Sequence, residues 1–229
     1  MLVQIPQILD PQQLRQVRAR LEAAAEQDWV DGRITAGYQG IRVKHNRQIA
    51  ENSAIARELG DLILGAVERN PLFISAALPS RAYPPMFNRY ESGMTFGSHV
   101  DGAVRLLPGS GVKIRTDVSI TLFLAAPEEY DGGELIIEDT FGTHAVKLNA
   151  GDLILYPATS LHKVAPVTRG VRYASFFWVQ SLVRDDTPRT LLCDLDRSVQ
   201  RLNATGADEA VRAQLTGCYH NLLRMRGEP

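Results

Sequence analysis

The sequence predicts an α+β fold: a jelly-roll core of β-strands, with helices before it and a helical hairpin after it. Two observations predict this. Apolar residues recur at helical spacing before residue 70 and again after residue 185. Between them, eight short runs rich in β-branched and aromatic residues alternate with glycine, proline and aspartate clusters. Many short strands broken by turns suit a sandwich or barrel, and eight suit the double-sheet jelly roll. The expected division is a helical and mixed segment over 1–71, the core over 72–182 and the hairpin over 183–229.

In chain order, Asp10-Pro11 reads as an N-cap followed by proline in the first turn. Leu14, Val17, Leu21 and Ala24 then predict an amphipathic helix over 11–27. Residues 28–49 are mixed, with a brief strand expected at 41–44; Lys44 and Asn46 have no chemical reading there. A second helix is expected over 51–69, lined by Ile55, Leu59, Leu62, Ile63 and Val67 and ended by Asn70-Pro71. Strands are expected at 72–77, 84–90, 94–99, 117–125, 134–138, 143–148, 152–157 and 171–181. Segment 102–116 has no strand pattern and holds Pro108, Gly109 and Gly111, so it reads as a loop or lid beside the site. Past Ser181, Leu192, Leu195, Val199 and Leu202 form one helical stripe. Val211, Leu215, Cys218 and Leu222 form another, with Asn203-Ala204-Thr205-Gly206 between them.

Composition narrows the function. The 229 residues are 45% apolar and 22% charged, ordinary for a globular chain with a substantial core. A net charge of −1 gives no support to a nucleic-acid or membrane-surface role. No apolar run approaches the roughly 18 residues of a membrane span. The first residues lack a basic leader and a long apolar segment, so the cytoplasm is the expected compartment. Cys193 and Cys218 read as two small buried hydrophobes. The helical stripes at 189–224 read as faces that pack on the core or pair with a second copy in a homodimer.

The chemistry centres on Gly97-Ser98-His99-Val100-Asp101-Gly102. In extended backbone residues i and i+2 point to one face, so His99 and Asp101 offer an imidazole and a carboxylate side by side. That is two thirds of the two-histidine, one-carboxylate triad that holds non-haem Fe(II). Of His45, His144, His162 and His220, His162 is the best third ligand, because it follows the 152–157 strand after a short turn; His144 is the competitor. Three protein ligands leave three octahedral positions, enough for a bidentate 2-oxo acid and O2. The far carboxylate of 2-oxoglutarate then needs a buried cation, and Arg172 lies among Tyr173, Phe176, Phe177 and Trp178. Its planar fork pairs bidentately with a carboxylate and stays charged when desolvated. Tyr90 is either a second hydrogen-bond donor to the co-substrate or a tyrosine of the core or rim.

The pattern Tyr90…His99-Val-Asp101…His162…Arg172, with Tyr130-Asp-Gly-Gly-Glu134 and Gly151-Asp152 between, resembles the Fe(II)/2-oxoglutarate-dependent dioxygenases of the prolyl/lysyl hydroxylase superfamily. With the flanking helices it resembles the bacterial PKHD-type hydroxylases. The resemblance implies a double-stranded β-helix, a cupin-like jelly roll. It implies Fe(2+) at His99, Asp101 and His162, and 2-oxoglutarate at Arg172. It also implies L-ascorbate dependence, which no residue here reveals. The reaction expected is hydroxylation of an unactivated C–H bond with release of succinate and CO2, on a small-molecule or peptidyl substrate. Two other readings stand beside it: a cupin-like metal protein with non-oxygenase chemistry, and a non-catalytic binding module on the same fold. The glycines flanking the motif are expected to let backbone and co-substrate approach closely.

Overall fold

A computed structural model of the chain describes residues 1–38, 40–140, 142–206 and 208–228. Its elements begin with β1 (Val3–Ile5) and α1 (Pro11–Glu22). The Asp10 carboxylate accepts from the Gln12 and Gln13 amides at 2.7 and 2.8 Å, and the Gln13 side chain accepts from the Asp10 amide. This reciprocal cap fixes the start of α1. The helix stops at Glu22, short of the expected 27, because the Asp28 carboxylate takes the Ala25 amide at 3.0 Å and starts a separate 3₁₀ turn.

Next come β2 (Trp29–Asp31), β3 (Lys44–His45), β4 (Arg47–Ile49), α2 (Ala54–Val67) and α3 (Pro71–Ala77). The expected strand at 41–44 is a 3₁₀ turn over Gly40–Arg42 followed by the two-residue β3. Helix α2 starts at its Ser53 cap, inside the expected 51–69. Residues 72–77 are helical, against the expectation of a strand. Asn70 caps the Phe73 amide, Pro71 opens the first turn, and Leu78 closes it in the left-handed region at φ 43°. Asn70-Pro71 therefore begins a helix as well as following one.

The remaining strands are β5 (Pro79–Ala82), β6 (Met86–Tyr90), β7 (Thr95–His99), β8 (Val104–Leu106), β9 (Lys113–Arg115), β10 (Val118–Phe123), β11 (Tyr130–Gly132), β12 (Leu135–Asp139), β13 (Gly142–Val146), β14 (Leu153–Pro157), β15 (Leu161–Val164), β16 (Val167–Gly170) and β17 (Arg172–Ser181). Seven of the eight expected strands are present within a residue or two. The expected loop 102–116 is the β8–β9 hairpin, turning through Gly109 and Gly111 at positive φ.

The strands form two large antiparallel sheets and two small pairs. The larger sheet runs β1-β14-β10-β17-β6-β4-β2, with β5 against β17; the second runs β13-β12-β15-β7-β3. Strand parity sorts the sides of β10 and β17. Ile120, Leu122, Phe177 and Val179 join Val17, Leu21, Leu59, Ile63 and Phe73 in a core under the helices. The opposite face of the large sheet gives Tyr90, Phe123 and Tyr156 to a second core, which Leu135, Ile137 and Val164 of the other sheet complete. Replacing a fully buried residue such as Leu59 by alanine costs about 2–5 kcal/mol.

The chain ends in α4 (Asp186–Ala204) and α5 (Glu209–Arg226). Leu192 of α4 packs on Leu78 and Val183, joined by half-buried Tyr219, Leu222 and Leu223 of α5. The second expected stripe is only partly inward: Val211 and Cys218 are exposed, so Cys193 alone is a buried cysteine. No helix among the described residues is long and apolar enough to cross a membrane.

Candidate active site

A cavity of about 770 Å³ opens between the two large sheets, within the size range of ligand pockets. His99 and His162 enter it from neighbouring strands, where they are direct register partners across β7 and β15. Their ring centroids lie 4.2 Å apart. Asp101, just past β7, completes a cluster whose ligand atoms all lie within 4.8 Å of one another. Asp101 Oδ1 is 3.9 Å from His99 Nε2 and Oδ2 is 3.8 Å from His162 Nε2. Those gaps are too long for hydrogen bonds but suit atoms that share one ion, since ligands about 2 Å from a metal lie at most about 4 Å apart.

The protonation pattern also suits a metal. His99 Nδ1 lies 2.8 Å from the Gly97 carbonyl, and His162 Nδ1 lies 3.0 Å from the Ser160 carbonyl. A carbonyl only accepts, so each Nδ1 carries the proton and each Nε2 lone pair faces the cluster. Burial, helped by the neighbouring His162, pushes the His99 pKa down to about 4 and keeps that ring neutral. Phe96 stacks on His99 at 3.5 Å, and Tyr156 meets His162 edge-on at 5.2 Å. The Ser119 hydroxyl donates to Asp101 Oδ2 at 2.5 Å.

Arg172 lies at the start of β17 opposite Tyr90 and is 1% exposed. Its guanidinium carbon is 5.4 Å from the ring centres of both Tyr90 and Phe123. Its Nε and Nη2 have no hydrogen-bond partner among the described residues. A buried guanidinium with orphaned donors is costly unless an anion completes it. Gly133, at φ +67°, makes room: a Cβ there would lie 3.0 Å from Tyr130 Cε2 and 3.1 Å from Arg172 Cδ. Tyr90 is also 1% exposed; burial pushes its pKa up to about 12, so its phenol remains a donor.

The residues predicted from the sequence thus share one cavity: His99, Asp101, His162, Tyr90 and Arg172 all line it. His162 follows the turn after β14, as expected, and lies in a four-residue strand, β15, that is not among the expected strands. His144 pairs with Asp139 at 2.9 Å on an exposed edge, while His45 and His220 are exposed. Of the two flanking glycines, Gly97 permits a close approach, since a Cβ there would come within 2.8 Å of Val43; around Gly102 there is open space. Sequence reasoning missed Ser119, Thr121 and Tyr156, although strand alternation along β10 marks the first two. It noted Lys44 without a role, and that side chain proves to be buried in the cavity wall.

Residues 85–180 match the family model described as the 2OG-Fe(II) oxygenase superfamily, and residues 186–228 match the PKHD-type hydroxylase C-terminal domain. A PKHD-type hydroxylase of Burkholderia ambifaria is 69% identical over 228 residues, covering 100% of each chain. Among solved structures, a prolyl-4-hydroxylase of Pseudomonas putida is similar with a TM-score of 0.57 at 22% identity, covering 79% of this chain and 92% of that one. A prolyl hydroxylase of Trichoplax adhaerens gives 0.58 at 16% identity, covering 83% and 86%. At those identities the structural likeness speaks for the fold alone. The full-length identity carries the assignment: the chain belongs to the PKHD-type hydroxylases, within the 2OG-Fe(II) oxygenase superfamily.

Proposed function

We propose that His99, Asp101 and His162 hold the Fe(II) of this oxygenase and that Arg172, assisted by Tyr90, takes the far carboxylate of 2-oxoglutarate. The observation that carries this reading is Arg172, a buried guanidinium with two unpartnered nitrogens in the cavity that also contains the triad. Neutral imidazoles with free Nε2 atoms and one carboxylate are the donor set non-haem Fe(II) uses. A metal protein of cupin type with other chemistry would use the three ligands but leaves the buried Arg172 without a purpose, and a binding module requires neither.

Bound there, Fe(II) supplies the O2 chemistry that couples decarboxylation of 2-oxoglutarate to succinate and CO2 with hydroxylation of an unactivated C–H bond. The protein's share is orientation and dryness. Arg172 fixes the co-substrate by a bidentate charge-assisted pair, and the Tyr90 phenol donates beside it. The Gly97 and Ser160 carbonyls hold the two imidazoles in the ligating tautomer, and Ser119 fixes the carboxylate. Phe176 and Trp178 furnish apolar wall of the cavity.

The two facing antiparallel sheets support a double-stranded β-helix as the finer description of the core. Ascorbate dependence and a cytoplasmic location belong to the same reading, with a small-molecule or peptidyl substrate and neither nucleic acid nor membrane as partner. The exposed Leu191 and Val211 of α4 and α5 support a homodimer through those helices, which sedimentation would test. The test of the site itself is anaerobic addition of Fe(II) and 2-oxoglutarate. A weak visible charge-transfer band is expected, and a wild-type protein that gives none contradicts the assignment.

A further inference from the structure

Lys44 is 5% exposed in the wall of the same cavity, on β3 of the smaller sheet, whereas Arg172 belongs to β17 of the larger one. Its Nζ donates to Thr35 Oγ1 at 3.0 Å, and Thr35 in turn donates to Gln48 Oε1 at 2.7 Å. The ammonium lies 4.9 Å from the Phe96 ring centre and 5.6 Å from that of Phe176. Asp101, Glu51 and Asp31 act on it only through space, and among the described residues it makes no ion pair. A buried ammonium held by one neutral hydroxyl and two rings is an expensive arrangement for stability alone.

Arg105 joins it from β8, lying 4.3 Å from the Trp178 ring centre and 5.0 Å from that of Tyr83. Its nearest carboxylate, Glu51, is 3.9 Å away and is itself bonded by the Tyr83 hydroxyl at 3.2 Å. Among the described residues that line the cavity, three are cationic (Lys44, Arg105, Arg172) and one, Asp101, is a carboxylate. A divalent cation and the 2-oxoglutarate dianion cancel; with Glu51, 3.9 Å from Arg105, counted beside Asp101, loading the site leaves one positive charge in excess. Arg172 is taken by the co-substrate, which leaves Lys44 and Arg105 to hold that excess beside the apolar wall.

We propose that Lys44 and Arg105 receive an oxyanionic group of the substrate, a carboxylate or a phosphate, while its apolar body lies against Phe176 and Trp178. This rests on the reading that Arg172 anchors 2-oxoglutarate. The site therefore selects an anionic substrate and rejects its neutral isostere, because the buried Lys44 ammonium left without an anion costs binding.

The test is calorimetry on protein loaded anaerobically with Mn(II) and 2-oxoglutarate. The probes are 3-phenylpropionate, its neutral amide and phenyl phosphate; the two acids distinguish a carboxylate from a phosphate as the preferred anion. At least one acid is expected to bind tenfold or more tighter than the amide. Lys44→Met and Arg105→Gln should each weaken that acid by about tenfold or more. Affinity for 2-oxoglutarate should stay unchanged in both variants, which also shows that the site has folded. Equal binding of acid and amide, or wild-type acid affinity in both variants, overturns the proposal. So does loss of 2-oxoglutarate in either variant, which would put these cations on the co-substrate. Arg172→Gln separates the two readings: it should lose 2-oxoglutarate and keep Lys44-dependent acid binding. Retention of 2-oxoglutarate there would sink the Arg172 assignment while leaving the Lys44 dependence standing.

Discussion

Ser119 Oγ donates a 2.5 Å hydrogen bond to Asp101 Oδ2, the same oxygen that lies 3.8 Å from His162 Nε2. One carboxylate oxygen is thus fixed from the larger sheet while it faces a ligand on the smaller one. Outer partners of this kind set ligand orientation, and losing one typically costs about 10–100-fold in metal affinity. Ser119→Ala should weaken Fe(II) or Mn(II) binding by that order in a metal titration, with the thermal midpoint of the metal-free protein nearly unchanged. Wild-type affinity in the variant would show that Asp101 needs no such support.

Arg172→Ala removes the buried guanidinium that lies beside Tyr90 and Phe123. It should cost about 2–5 kcal/mol of 2-oxoglutarate binding, the range for truncating one partner of a buried charge pair. Metal affinity should remain close to wild type. Measuring both in one anaerobic titration decides the matter, since joint loss would contradict separate roles.

Lys44 gives a pH signature in the metal-free protein. Burial is the main cause that pushes its pKa from 10.5 down to about 7. Below about pH 7 the ammonium is charged both folded and unfolded, and its burial penalty is present in full. Between about pH 7 and 10.5 the folded state has released a proton that the unfolded chain still binds, so stability rises with pH. Lys44→Met should therefore melt above wild type at pH 6.5, and the gap should close toward pH 10. A gap that does not change with pH would show that Lys44 titrates normally.

The β8–β9 hairpin carries Arg105 on its inward side, with Val104 and Leu106 exposed at the cavity mouth. Deleting residues 109–111 at its tip should admit water and uncouple 2-oxoglutarate turnover from hydroxylation. The ratio of succinate formed to product hydroxylated is the measurement; unchanged coupling would remove any lid role from the hairpin.

The sequence made much of this site legible because its chemistry follows backbone periodicity. His99 and Asp101 share a face at the end of a strand, and Arg172 begins an alternation that turns Phe176 and Trp178 toward the cavity. Ser119 and Thr121 obey the same rule on β10 but carry no residue type that demands a metal. Residues 72–77 misled because Leu72, Phe73 and Ile74 look like strand, while the Asn70 cap and Pro71 decide for helix. β15 is only four residues long, so the sequence predicts no strand around His162. Lys44 was unreadable for a different reason: its burial depends on a two-residue strand pairing with Phe96 from some fifty positions away.

The pairing of His99 with His162 across β7 and β15 also makes the ladder a ruler. A slip of one residue along that pair would turn one imidazole to the opposite side of the sheet, because side chains alternate at every step. The pair already carries a register irregularity between His162 and Val164, so the alignment that matters is the one at the two histidines themselves. The proposed metal site therefore exists only in chains whose two strands are aligned at that pair.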